Sequence, residues 1–313
     1  MFKFKSLMGL AGLMAMAGHG FAAVNSVASL ANPMENVGVG ARALSMGSAF
    51  VGVADDSSAL FWNPAGLGGM RDLEVALHHN SWLAGIIQET AIAALPLGFL
   101  GGFGASLNYV NYGTFNGYDV NGDQIDSYSA NRYGFGLGWG KELMAGLSAG
   151  AALRGGMRTI NDSNYTDIAM DFGALWAPVP VKNLRLGLAY SNLGTAIASY
   201  GQAAALRLGG SYGIELSRTN QLLLAASGSF EPQGVNRLQF GVEDTIHSFL
   251  ALRLGYQANL ADTQIQGLTG LTAGFGVLYE GFCLDYAYLP FGDLGAAQRI
   301  SLGYKFGRTQ KPS

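Results

Sequence analysis

Residues 133–140 read Tyr-Gly-Phe-Gly-Leu-Gly-Trp-Gly. Every odd position carries a bulky apolar side chain, and every even position carries none. Successive side chains of a strand point to opposite faces. The segment therefore predicts a strand with one greasy face and one bare face. The same period runs on through the chain. Leu147, Ala149, Ala151, Leu153 and Met157 alternate with Ser148, Gly150, Arg154 and Arg158. Leu184, Leu186 and Leu188 alternate with Arg185 and Gly187, and Leu250, Leu252, Leu254 and Tyr256 with Arg253 and Gly255. Ile300, Leu302, Tyr304 and Phe306 alternate with Ser301, Gly303 and Lys305. Counting such runs predicts about fourteen strands between residues 72 and 306.

Composition says what the greasy face meets. Charged residues are 12% of the 313, against roughly 25% for soluble domains. No stretch after residue 30 has the ~20 apolar residues of a membrane helix. An apolar but non-helical surface points to a transmembrane β-barrel. A soluble β-sandwich also alternates, but its outer face is richly polar, whereas the second face here is mostly Gly, Ala and Ser. The fold expected is all-β: an antiparallel up-and-down barrel with a plug in its lumen. Its outer partner is outer-membrane lipid. A net charge of -3 gives no support to nucleic-acid binding.

Strand parity also sorts the charges. It places Arg154, Arg158, Arg185, Arg207, Arg237, Arg253, Arg299 and Lys305 inside, with Asp167, Asp171, Glu215, Glu243 and Asp285. An Arg or Lys facing lipid at midplane costs roughly 2–4 kcal/mol. Inside a lumen the same charge is hydrated or paired. Connections after even-numbered strands are short, such as 217–220, and those after odd-numbered strands are longer, such as Gly113 to Asp126. Short turns on one side and longer loops on the other suit such a barrel.

The N-terminus reads as an export signal over residues 1–22. Lys3 and Lys5 precede an apolar run from Leu7 to Ala17, and Gly20-Phe21-Ala22 offers small residues for cleavage. Residues 23–71 form the expected lead-in and hatch, 72–306 the barrel, and 307–313 a loose polar tail. Within the hatch, Gly40 to Phe50 predicts a short helix weakened by Gly47. Asp55 or Asp56 can cap a second helical turn over Ser57 to Trp62. Pro64 pushes Asn63 toward an extended backbone, and Asn63-Pro64-Ala65-Gly66 forms a turn. One or both of Asp55 and Asp56 are expected to pair with inward arginines and lock the hatch. Asn63, Pro64 and Ala65 lie where cargo would cross it.

An ordered set of residues carries a family resemblance. Gly40-Ala41-Arg42-Ala43-Leu44-Ser45-Met46-Gly47-Ser48-Ala49-Phe50, then Val53-Ala54-Asp55-Asp56, then Phe61-Trp62-Asn63-Pro64-Ala65-Gly66-Leu67, resembles the N-terminal region of the PorV/PorQ family, within the FadL-like outer-membrane barrels. Ser81-Trp82-Leu83-Ala84-Gly85 is similar to that family as well. The resemblance implies a fourteen-stranded barrel with an N-terminal hatch, inserted by the outer-membrane barrel assembly machinery. From the FadL branch it implies passage of a hydrophobic ligand through hatch and wall. From the PorV branch it implies a role in type IX secretion, with secretion-system proteins as partners.

Other chemistry is thinly represented. Four histidines, one of them within the export signal, and no G-x-S-x-G turn leave little for a hydrolase. Asp119-Val120-Asn121-Gly122-Asp123 alternates oxygen ligands, but the downstream Glu and flanking helices of a calcium hand are missing, so it reads as a hairpin loop. Cys283 is alone and reads as an inert small side chain. No metal, cofactor or catalysis is expected.

Overall fold

A computed structural model describes residues 37–194, 204–232, 235–260 and 269–307. The export-signal and lead-in readings, and the tail beyond Gly307, fall outside the described residues. Fourteen antiparallel strands close into one barrel, each paired with its neighbours in sequence and the last with the first. They are β1 Leu73–Ser81, β2 Ile87–Pro96, β3 Gly102–Tyr118, β4 Gln124–Met144, β5 Leu147–Ile160, β6 Ser163–Trp176 and β7 Leu184–Gly194. The second half comprises β8 Ala205–Glu215, β9 Gln221–Phe230, β10 Arg237–Ile246, β11 Leu250–Asn259, β12 Leu271–Tyr279, β13 Phe282–Pro290 and β14 Ala296–Phe306. Closure sets Leu73 opposite Phe306 and Ser81 opposite Gln298, which leaves no sheet edge along the wall.

Parity behaves as the alternation requires. Leu137, Leu254 and Leu302 point outward and are 58%, 60% and 48% exposed, while their neighbours Gly138, Gly255 and Gly303 point inward. The exterior is thus a mainly apolar band, broken by the exposed His79–Glu89 pair, and suits acyl chains rather than water. Strand β7 carries one irregularity. Its pairing with β6 slips between Met170 and Phe172, and Asn192 takes a left-handed backbone, φ 60°. Asp171 Oδ1 accepts the Asn192 amide at 2.7 Å and holds this bulge from inside.

One expected loop is not a loop. Most of Gly113 to Asp126 is strand: β3 continues to Tyr118, β4 begins at Gln124, and only 119–123 turn. Register shifts between Asn111 and Gly113 and between Phe115 and Gly117 break the alternation, which hid the strand. The hairpin extends beyond the end of β2 and is stiffened by stacking of Phe115 on Tyr128 at 5.3 Å. Asp119 tightens the tip by accepting the amides of Asn121 and Asp123.

Residues 37–70 lie inside the wall. Two short helices, α1 Ala41–Ser45 and α2 Ala59–Trp62, are followed by a 3-10 turn over Pro64–Gly69. Helix α1 stops at Ser45 because Gly47 turns the chain at φ 63°. The segment builds two apolar clusters against the wall. Leu44, Met46, Phe50, Val53 and Trp62 pack on Ala225, Ala287, Leu289 and Ala297. Val39, Ala54, Leu60, Ala65 and Leu67 pack on Ile92, Ala94, Ala152 and Leu175.

Candidate functional site

Between its side-chain contacts with the wall the segment comes backbone-close to it, and at those points the wall carries glycine. A Cβ on Gly140 would lie 2.4 Å from the Pro64 carbonyl oxygen, and one on Gly173 2.0 Å from Asn63 Oδ1. The corresponding approaches are 2.1 Å from Gly187 to the Val51 oxygen, 2.5 Å from Gly241 to the Met46 oxygen, and 2.0 Å from Gly255 to the Gly47 nitrogen. These glycines come from β4, β6, β7, β10 and β11. They form a belt around the lumen that is the footprint of the segment.

Asn63 clasps segment to wall. It is fully buried, with φ −164° and ψ 99° as Pro64 requires. Its Nδ2 donates to the Val51 carbonyl at 2.9 Å and to the Ala174 carbonyl of β6 at 3.0 Å. Its Oδ1 accepts the Ala65 amide at 3.2 Å. Pro64 and Ala65 are buried in the turn beside it.

On the short-turn side of the belt a polar network ties the segment to the barrel, and its hub is Arg42. Arg42 Nε and Nη2 each donate at 2.8 Å to the Glu243 carboxylate of β10. Its Nη1 donates to Asp55 at 2.6 Å and to Asp56 at 3.3 Å. Glu243 also accepts from Arg253 at 2.6 Å, and Arg253 reaches Asp285 at 2.6 Å. The network lines a cavity of about 450 Å³ that opens between the β12–β13 turn and Lys305. Lys305 stands 3.3 Å from Glu74, whose other oxygen takes the Ser57 amide and hydroxyl. The expected pairing of Asp55 with inward arginines is present only at Arg185, 3.8 Å away. The close cation is Arg42, on the segment itself. Parity arguments consider wall residues alone and could not find it, although an Arg between small residues of an apolar helix was a visible signal.

The remaining inward charges lie on the other side of the belt. Arg154 pairs with Asp171 at 2.7 Å, also donates to Asn192, and stands over the Phe61 ring at 5.5 Å. Arg207 donates to Ser191 at 2.7 Å and covers Trp62. Arg237 pairs with Glu231, and Arg158 lies over Tyr112. Arg132, not among the expected charges, pairs with Asp167 at 2.8 Å. Glu215, expected inside, is exposed at the end of β8, where the strand is still paired with β9 but has run past the end of β7. Among the described residues no three His, Cys, Asp or Glu side chains converge as a metal set would.

The two adjacent acids titrate differently. Burial would raise Asp55, but Arg42 and then Arg185 outweigh it and hold it below the usual carboxylate range. Burial pushes Asp56 up to about 6; Arg42 opposes this, while Glu74 and Asp55 add to it. Folding therefore binds a proton at Asp56 more tightly than the unfolded chain does. Its contribution to stability is greatest at low pH and falls as pH rises from about 4 to about 6. Asp56→Asn keeps an oxygen for the Ser58 amide, 2.9 Å from Asp56 Oδ1. The variant is expected to match the parent in urea midpoint near pH 4 and to exceed it above pH 6. Parallel unfolding series in detergent, read by tryptophan fluorescence, measure the difference. A variant less stable above pH 6 contradicts the assignment.

The barrel is similar to several solved outer-membrane channels. It matches the Pseudomonas putida toluene transporter TodX with a TM-score of 0.56 and 13% identity, over 83% of this chain and 95% of that one. It matches a Pseudomonas aeruginosa FadL homologue with a TM-score of 0.55 and 12% identity, over 86% and 98%. The Ralstonia pickettii toluene transporter TbuX gives 0.53 and 12%, over 86% and 98%. At such identities the likeness is one of fold. A UPF0164 protein of Treponema pallidum (strain Nichols) is 28% identical over 174 residues, which are 50% of this chain but only 42% of that relative. Residues 31–211, which carry the whole inner segment and β1 to β7, match the sequence profile of the Uncharacterised protein family (UPF0164), and the chain belongs to that family.

Proposed function

We propose that this protein is a non-enzymatic outer-membrane channel for hydrophobic small molecules, with residues 37–70 as its hatch. The carrying observation is the glycine belt. In this reading the segment, packed backbone-to-backbone against the wall, closes the lumen. Polar bonds to β1, β6, β8, β10, β12 and β14 fix it there, with Arg42–Glu243 the one doubly bonded ion pair among the described residues. Asn63 holds one side of the hatch, and Arg42 with Glu243 holds the other. Displacing the Arg42 side opens a path from the loop side, past Phe61 and Trp62, into the polar cavity at the short-turn end. That end faces the periplasm in this reading. The bulge at Asn192, which already interrupts the β6–β7 ladder, is where this reading puts a lateral exit. The fold shared with hydrocarbon and FadL-type channels supports the reading.

Uptake of labelled toluene and oleate is the test, in proteoliposomes whose outer leaflet carries lipopolysaccharide to slow unassisted entry. Uptake above empty vesicles, raised by Arg42→Met, supports the channel. Uptake equal to empty vesicles for both compounds and both proteins sinks it.

The projecting β3–β4 hairpin favours a second reading, a PorV/PorQ-type secretion component. Its strands lack outer neighbours between residues 113 and 129, and Phe115, Tyr118, Val120, Ile125 and Tyr128 are exposed on it. Unpaired edges with apolar side chains are a template for an added strand. Absent uptake, with stable capture of a secreted protein that is lost on deleting 114–128, would decide for this role.

A further inference from the structure

We propose that the small cavity between Arg299 and His78 binds a single monovalent anion the size of chloride. Arg299 is 2% exposed. Its Nη1 donates to the Gly38 carbonyl at 3.0 Å, at the entry to the inner segment. Its guanidinium lies 5.4 Å from the ring of Trp82, which packs on Phe291 at 4.9 Å. Among the described residues the other donors, Nε and Nη2, have no acceptor, and no carboxylate pairs with this charge. Arg132, Arg154, Arg207 and Arg253, likewise buried, each have an acid or a hydroxyl against them. Arg158 also has unpartnered Nε and Nη2, but it is only half-buried and lies over the Tyr112 ring. A buried guanidinium without a counter-charge is costly, and proteins keep such groups paired.

His78 lines the same cavity and carries a second orphan donor. Ser301 Oγ accepts the Ala41 amide at 2.9 Å and lies 2.7 Å from His78 Nδ1. With that amide on its oxygen, the serine proton is available to Nδ1. The imidazole proton then sits on Nε2, and Nε2 is buried without a partner. The cavity these groups line is about 10 Å³, room for one water-sized occupant and far too small for an amphiphile's carboxylate.

Water is the rival occupant. Asn80 Oδ1 also lacks a partner and lines the cavity, so a water could donate to it. Water would leave the guanidinium charge uncompensated, whereas an anion satisfies the Arg299 and His78 donors and the charge together. Asn80 Nδ2 donates to Gln88 Oε1 at 3.1 Å. Turning both amides over keeps their mutual bond and presents an Asn80 N–H to the anion. Because Arg299 holds Gly38 and Ser301 holds Ala41, the bound ion braces the start of the inner segment.

The test uses the full chain in detergent micelles. Its melting temperature is measured across a chloride series, with sodium gluconate holding ionic strength constant because gluconate is too large for the cavity. The melting temperature is expected to rise with the logarithm of chloride concentration, and Arg299→Gln to abolish that rise. Crystals of the unmodified protein grown in bromide are expected to show an anomalous peak between Arg299 and His78, a readout that survives if the variant fails to fold. Identical melting in both salts, a chloride response that persists in Arg299→Gln, or a cavity with no bromide peak each overturns the proposal.

Discussion

Gly255→Leu is expected to turn a closed barrel into a conducting one. The new Cβ would sit 2.0 Å from the Gly47 nitrogen and 2.3 Å from the Met46 carbonyl carbon. Both are backbone atoms, so no rotamer change relieves the overlap. Overpacking a close-packed interior costs about 1–3 kcal/mol where side chains can shift, and more where they cannot. The wall is a closed ladder of paired strands, and the segment is held by far fewer bonds. The segment therefore yields first. Planar-bilayer recording is expected to show steady ion conductance for Gly255→Leu and a quiet trace for the parent. Gly303→Ala is the control: it also points inward, but its Cβ would meet nothing nearer than 3.8 Å. It should remain quiet. Equal traces for Gly255→Leu and Gly303→Ala would mean that the belt does not seat the segment.

The second large effect is at Arg42 and Glu243. Arg42→Met removes both 2.8 Å bonds to Glu243 and strands Asp55 and Asp56 without their nearest cation. Breaking one side of a buried pair costs about 3 kcal/mol, the low end of the range because the Arg42 side chain is 19% exposed. That is roughly a hundredfold in the ratio of displaced to seated segment. Glu243→Gln should cost less, since Arg253 keeps a hydrogen bond to the amide oxygen. The double variant should be less damaged than the sum of the two singles, with a coupling of about 0.5–3 kcal/mol for residues in direct contact. A cycle of urea unfolding curves and open probabilities measures it. Strict additivity would show that the pair is incidental.

Much of this was legible in the chain, and the illegible parts have identifiable causes. Period-two alternation revealed the wall because the pleat ties side-chain direction to parity, so Leu254 and Gly255 could only face opposite ways. The same rule put Arg154, Asp171, Arg207, Glu243 and Arg253 in the lumen. It lost the outer half of the β3–β4 hairpin, where bulges reset parity, and Glu215, where β8 runs past the end of β7 and its last residue is exposed. Alternation says nothing about segments that are not strands. It therefore cannot find Arg42 as the hub, and it matches the two aspartates to wall arginines although their partner lies thirteen residues upstream of Asp55 and fourteen upstream of Asp56. The glycines were visible as a bare face. That they mark a belt of backbone contact needed three dimensions.

The central claim is that bulky side chains face acyl chains while glycines and arginines face the inner segment. A nitroxide scan along 250–257, one label at a time in a Cys283→Ser background reconstituted in bilayers, tests it most directly. Oxygen accessibility should peak at 252, 254 and 256 and fall at 251, 253 and 255, with the label at 255 also displacing residues 46–47. A scan with the opposite phase, or with water-soluble relaxant rather than oxygen reaching 252, 254 and 256, would contradict the account.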